Sequence, residues 1–218
     1  MKNKILIILI VLVCLTASGV YIYKNPEKFY FSNLLTGEEN KPLTNEKKTG
    51  EENIEETLKK THLVKDEFEI ILPAGWQEAV GFSETLLMAF DAEEELTDEK
   101  LIEIDFATYL SIKKDSLDKY GIDSVKEYSQ SLKTPLAQSI EDLKFTEERE
   151  DIINEKEVFY MEIESQQEGI EYKTLLAFVE GNNNDIYVLS FNTSQNSWSS
   201  YKDKFYQMVE SFNVRYNI

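Results

Sequence analysis

The segment that restricts the architecture most runs from Asp185 to Val214. In Asp185-Ile-Tyr-Val-Leu-Ser-Phe-Asn192, Tyr187, Leu189 and Phe191 point one way, and Ile186 and Val188 point the other. A strand apolar on both faces belongs in the middle of a sheet that is covered on both sides. A polar turn follows. Trp198, Tyr201, Phe205, Met208, Val209 and Phe212 then recur at three- and four-residue steps, with Lys202, Asp203, Lys204, Gln207 and Glu210 on the opposite side. That spacing predicts one amphipathic helix from Trp198 to Val214, laid over the sheet as a lid. Each large apolar side chain it buries contributes roughly 1.5–3 kcal/mol.

The domain that ends this way begins near Asp66. Phe68, Ile70 and Leu72 alternate with Glu67, Glu69 and Ile71 until Pro73-Ala-Gly-Trp76, where proline stops a ladder and glycine relaxes the turn. Leu86–Phe90 reads as a second strand and the acidic stretch 91–99 as a loop. Leu101–Ile112 reads as one long strand, with Ile102, Ile104, Phe106, Leu110 and Ile112 facing in and Glu103, Asp105, Tyr109 and Ser111 facing away. Ser124-Val-Lys-Glu127 is a capping box that opens a helix with a Val125, Tyr128, Leu132 stripe. Thr134-Pro135 predicts a restart, since proline suits a first helical position, and Leu136, Ile140 and Leu143 continue the spacing. Strands then follow at 144–153, 158–166 and 170–180, separated by Asn154-Glu-Lys156, Gln167-Glu-Gly169 and Gly181-Asn-Asn-Asn184. Short turns between consecutive strands make an antiparallel sheet. With helical regions mid-chain and at the end, the expected class is α+β, an antiparallel sheet sandwiched by helices.

The N-terminus predicts where this domain works. Lys2 and Lys4 precede a run from Ile5 to Tyr23 with no charge. At about 1.5 Å per residue this run spans one bilayer, and the two lysines keep the short end cytoplasmic. Two other readings export the same domain. One is a signal peptide cleaved at Ala17-Ser18-Gly19; the other is acylation of Cys14, although Val13 stands where a lipobox takes a small residue. The chain therefore divides into a membrane anchor or signal segment (1–24), a polar linker (25–65) and a globular domain (66–218). The expected location is the cell membrane, single-pass, with the C-terminal domain extracytoplasmic. His62, the only histidine, falls in the linker, where a lone imidazole is chemically idle.

Charge narrows the partners. The net charge is −18, and residues 66–218 hold 33 acids against 13 basic residues, a net of −20. Such a surface repels nucleic acid and favours basic partners or divalent cations. Arg149 and Arg215 are the only arginines, which argues against a forked anion clamp. The sole cysteine is Cys14, so the domain has neither thiol nor imidazole for nucleophilic catalysis or a zinc site. No glycine-rich phosphate loop is present. Asp91, Glu93, Glu94, Glu95, Asp98 and Glu99 offer oxygen ligands suited to calcium, without EF-hand spacing. Tyr109, Tyr120, Tyr160 and Tyr172 are the candidates to rim a ligand groove. No cofactor is expected beyond that calcium.

With those residues in place, the domain resembles the PsbP-like superfamily. The resemblance rests on Phe68-Glu-Ile-Ile-Leu-Pro-Ala-Gly-Trp76, the hairpin series, Ile186-Tyr-Val-Leu-Ser-Phe191 and Ser211-Phe-Asn-Val214, and it covers residues 66–214. It implies an antiparallel sheet between helical layers and a non-catalytic binding or assembly role. The expected function is thus a tethered extracytoplasmic module for a protein or envelope component. The alternative is an envelope hydrolase that works through carboxylates, with or without calcium.

Overall fold

The computed structural model describes residues 60–79 and 84–215. The expected membrane segment at 5–23, Cys14 and the linker up to residue 59 lie outside them. Among the described residues no helix is long and apolar enough to cross a membrane.

The main sheet is antiparallel throughout. In sequence its strands are β3 (Trp76–Ala79), β4 (Leu87–Asp91), β5 (Tyr109–Ser116), β6 (Lys144–Ile153), β7 (Lys156–Gln167), β8 (Ile170–Glu180) and β9 (Asp185–Ser194). Their spatial order is β3-β4-β5-β9-β8-β7-β6. β9 lies in the middle as its two apolar faces require, with Leu110 opposite Phe191 on one side and Leu175 opposite Phe191 on the other. Helix α1 is Glu99–Glu103, α2 is Val125–Ser139 and α3 is Trp198–Ser211.

The two faces carry separate cores. Leu110, Ile112, Val158, Tyr160, Leu175, Ala177, Leu189 and Phe191 pack against Tyr201, Phe205, Met208 and Val209 of α3. Phe159, Met161, Ile163, Leu176, Phe178, Ile186 and Val188 pack against Val125, Tyr128, Leu132 and Leu136 of α2. A second sheet shares the α3 side. β1 (Thr61–Val64), β2 (Phe68–Leu72) and β10 (Asn213–Val214) pair antiparallel in the order β1-β2-β10, and β2 buries Phe68, Ile70 and Leu72 in the α3 core.

Four expectations change. First, the terminal helix stops at Ser211; Asn213 and Val214 pair with Glu69 and Phe68 instead of continuing it. Phe212 is still buried, its ring 5.1 Å from that of Phe68, so the same apolar residue serves a different element. Second, ordered structure begins before Asp66. β1 includes His62, whose Nε2 lies 3.2 Å from a Glu69 carboxylate oxygen. Third, 101–112 is not one strand. Asp98 accepts the Lys100 amide at 2.9 Å and caps α1, Asp105 turns the chain at φ 52°, and β5 starts only at Tyr109. Leu101 and Phe106 are buried while Ile102 is 55% exposed, a helical pattern that simple alternation imitates. Fourth, α2 runs through Pro135 without a restart. Proline gives up one helical hydrogen bond there, and the buried stripe on both sides of it offsets that loss. Ser124 caps the helix as the sequence indicates, its hydroxyl accepting the Glu127 amide at 3.1 Å. The Glu127 side chain, however, reaches back to the Asp123 amide at 3.4 Å.

Candidate functional site

The acidic loop between β4 and α1 turns its carboxylates to separate tasks. Asp91 is buried, accepting the Tyr201 hydroxyl at 2.8 Å and the Glu93 amide at 3.0 Å. Glu94 is half-buried, accepting the Thr108 amide at 2.6 Å and its hydroxyl at 2.9 Å. That hydroxyl lies 2.8 Å from the hydroxyl of Thr193, so the loop is tied to β9 through the residue that precedes β5. Asp98 is spent on the α1 cap, and Glu93, Glu95 and Glu99 are exposed. Among the described residues no three His, Cys, Asp or Glu side chains are grouped to hold a metal. Of the six residues offered for calcium, Asp91 and Glu94 thus engage hydroxyls and amides, Asp98 caps α1, and the other three face solvent.

Burial raises the Glu94 carboxyl above its ordinary range; the Thr108 hydrogen bonds offset this only in part, and the Asp91 charge adds to it. Glu162 goes the other way. Its burial would raise it, but hydrogen bonds from Lys202 and Tyr206, with the charges of Lys202 and Lys173, leave it lowered. Asp115 is likewise lowered. Its burial is outweighed by donors from Lys119, Tyr120, the Ser116 amide and Tyr128. A raised carboxyl stabilises the fold below its unfolded value and loses that contribution as pH rises through the folded one; lowered carboxyls lose theirs as pH falls through their folded values. Thermal stability should therefore rise as pH drops through the raised value of Glu94 toward the ordinary carboxyl range, then fall as pH drops further through the lowered values of Glu162 and Asp115. Glu94→Gln should flatten the upper limb and leave the acid collapse intact, which melting curves across pH would read directly.

The four tyrosines do not share a groove. Tyr109 is 2% exposed, in a third cluster with Met88, Leu101 and Phe106, and Tyr172 packs at that cluster's margin with its ring 5.6 Å from Phe106. Tyr160 is 1% exposed on the α3 face, its hydroxyl pushed up to about 12 by burial. Tyr120 borders the α2 core and donates to Asp115 at 2.7 Å. Tyr109 faces away from the α3 core as its parity requires, but the opposite face is covered too. The four tyrosines therefore occupy packing positions in three cores.

A cavity lies at the β8–β9 turn. It measures about 590 Å³ and is lined by Glu67, Lys114, Lys156, Glu180 to Asp185, Tyr187 and Arg215. The turn is held by the Gly181 amide on the Asp185 carbonyl (2.8 Å) and the Asp185 amide on the Asn182 carbonyl (3.0 Å). Asn183 and Asn184 take φ of 54° and 61°, which asparagine tolerates. A Cβ on Gly181 would stand 2.9 Å from the Asp185 carbonyl oxygen, so only glycine permits this closure. Lys114 donates to Glu67 at 2.9 Å and lies 3.0 Å from Asp185, pairings that raise its pKa against a smaller desolvation effect. Lys156 donates to the Gly181 carbonyl and the Asn182 side chain, each at 3.1 Å. Arg215 reaches the wall from the chain end, its amide on the Glu67 carbonyl (2.8 Å) and Nη1 on the Lys65 carbonyl (2.9 Å). The two sheets meet at this cavity.

The family model for PsbP matches residues 59–214, from just before β1 to the end of β10. The chain belongs to the PsbP family. The same fold is found in cyanobacterial PsbP (CyanoP) from Synechocystis, at 15% identity and a TM-score of 0.52, over 76% of this chain and 98% of that one. It is found again in LpqN of Mycobacterium tuberculosis, described as involved in cell envelope biogenesis, at 10% identity and a TM-score of 0.50, over 72% of this chain and 91% of that one. No curated protein matches the sequence. On this PsbP-family scaffold, the charged residues that matter most were silent in the sequence. Asp115 gathers Lys119, Tyr120 and Tyr128 at 2.8, 2.7 and 3.0 Å, yet it lies in a polar run, Lys113–Ser116, that extends β5 past its apolar part. Only the pairing of Asp115 with Ile186 on β9 reveals it as a strand position.

Proposed function

We propose that this PsbP-family domain is a membrane-tethered, extracytoplasmic module that binds a protein or envelope component without chemical turnover. The observation that carries the reading is the cavity at the β8–β9 turn. Its ionic groups are fixed: Lys114 is held between two carboxylates with its pKa raised, so it is a permanent cation and no proton shuttle. A general base works best with a pKa near the operating pH, whereas a recognition surface needs constant charge and oriented amides. The uncharged run 5–23 supplies the tether, and the fold shared with LpqN, described as involved in envelope biogenesis, is consistent with an envelope role.

The test uses the full chain in its native membrane, with a photo-reactive side chain at Asn183 on the cavity rim or at Ile102 outside it. A discrete adduct from position 183 and none from 102 is expected. Hydrolysis of glycan or ester substrates by the full chain, abolished by a single change among its acids, would replace binding with catalysis.

A further inference from the structure

The charges around the cavity are not equally occupied. Lys114 is matched by Glu67 and Asp185. Glu180 accepts the Glu157 amide at 3.2 Å through one carboxylate oxygen. Arg215 is different. One of its nitrogens donates to the Lys65 carbonyl, and among the described residues no carboxylate lies within ion-pair distance of this exposed side chain, whose charge acts on Glu69 at longer range. A guanidinium carries five donors in a planar fork that matches a carboxylate in bidentate fashion. In a domain with a large excess of acids, an arginine on the wall of a cavity with no carboxylate in direct contact leaves its fork open to an anionic group from outside. The surrounding acids limit what that anion belongs to. Glu67, Glu180 and Asp185 line the same space, so a polyanion such as a nucleotide or an oligophosphate would meet like charge. Lining charges of both signs, three of each, suit a ligand that itself carries both.

We propose that the cavity binds a small zwitterion of the amino-acid or short-peptide class. Its carboxylate lies on the Arg215 fork, its ammonium lies toward Glu180 and Asp185, and the Asn183 amide meets the groups between them. The volume of about 590 Å³ falls in the range of small-ligand sites, roughly 300–1,000 Å³. Tyr187 provides the apolar wall, in the α3 core at one end and 3.5 Å from Glu67 at its hydroxyl. The inference rests on the binding reading and narrows it to one ligand chemistry.

The experiment measures affinity of the full chain for alanyl-alanine by calorimetry, alongside its N-acetylated and C-terminally amidated forms. The free dipeptide should bind, and each capped form should bind at least about tenfold more weakly, because a charged hydrogen-bonding group left unmatched costs on the order of a tenfold change or more. Arg215→Gln should weaken the free dipeptide about tenfold or more, while Arg149→Gln, at the other arginine and outside the cavity, should leave it unchanged. Glu180→Gln should reduce affinity for the free dipeptide but not for the N-acetylated one. No binding by alanyl-alanine, equal binding of all three forms, or an Arg215→Gln variant with full affinity would each overturn the assignment. Those results would leave the position-183 adduct untouched, so the ligand class can fail without the binding reading failing.

Discussion

Phe205→Ala should lower the unfolding free energy by about 3–5 kcal/mol, the cost of truncating a buried aromatic that leaves a cavity. Phe205 has no exposed surface and is the hub of the α3 core. Its ring is 5.0 Å from Phe191 on the central strand, 5.7 Å from Tyr201, 6.0 Å from Trp198 and 6.3 Å from Trp76. Those four partners come from β9, from α3 itself and from the start of β3. The hole therefore opens where three elements meet and cannot close by moving one of them. Urea titration should show a lower midpoint with an unchanged slope, since the surface exposed on unfolding is nearly the same. Ile152→Ala, at a residue 72% exposed on β6, provides the contrast and should shift the midpoint hardly at all. A Phe205→Ala protein as stable as the parent would mean that α3 does not form the lid.

Lys173→Met should be nearly as damaging, at about 3 kcal/mol, although it replaces a charge with an apolar side chain of similar length. The Lys173 side chain is 6% exposed. It donates to Thr146 at 2.6 Å and to Glu164 at 3.0 Å, lies 3.4 Å from Glu162, and has its ammonium 5.4 Å from the Trp198 ring centre. Glu162 is 4% exposed. Removing the cation leaves a buried carboxylate short of one partner, a penalty distinct from whatever the intact pair contributes. Lys202 at 2.8 Å and the Tyr206 hydroxyl at 3.0 Å remain on Glu162, which keeps the loss at the low end of the range for broken buried pairs. Adding Glu162→Gln should recover part of the loss, so the double variant should fall short of the sum of the single ones. Lys202→Met, removing a cation that is 36% exposed, should cost about 1 kcal/mol or less. If Lys173→Met and Lys202→Met cost the same, the network is a surface feature.

Both predictions depend on α3, and α3 was the most legible part of the sequence. Aromatic residues at three- and four-residue steps and a doubly apolar strand leave few arrangements open, and β9 and α3 lie where those patterns put them. The hairpin turns were equally plain, because Asn154, Glu155, Glu168 and Asn183 fall in the positive-φ positions that the turn residues marked. The failures share a cause, which is that local pattern does not record what lies across a fold. Leu101-Ile-Glu-Ile-Asp-Phe106 fits alternation as well as it fits a short helix, and only the Asp98 cap and the burial of Leu101 and Phe106 decide. Phe212 satisfies helical spacing while the chain around it leaves the helix to pair with β2.

The site was harder still to read. Tyr109 and Tyr160 looked available because strand tyrosines often are, and both are buried because each face of this sheet has its own cover. The acidic loop looked like a cation site because its oxygens are close in sequence, yet Asp91 and Glu94 reach Tyr201 and Thr108, residues 110 and 14 positions away. Arginine scarcity argued against an anion clamp; a single Arg215, lining the same cavity as Lys114 and Asp185, is enough to reopen that possibility. None of these pairings has a sequence period, so composition and spacing could not disclose them.

The proposed placement of this PsbP-family domain, outside the membrane and held there by the N-terminal segment, is open to labelling from one side. Ile152→Cys places a thiol on exposed β6, and Cys14→Ser removes the natural one. Protoplasts of the native host carrying this full-length chain are treated with a membrane-impermeant maleimide, lysed and fractionated. Modification at position 152 is expected before lysis, with the labelled chain recovered in the membrane fraction after an alkaline wash. Modification only after lysis, or recovery of the chain in the cytosol, would contradict the proposed placement.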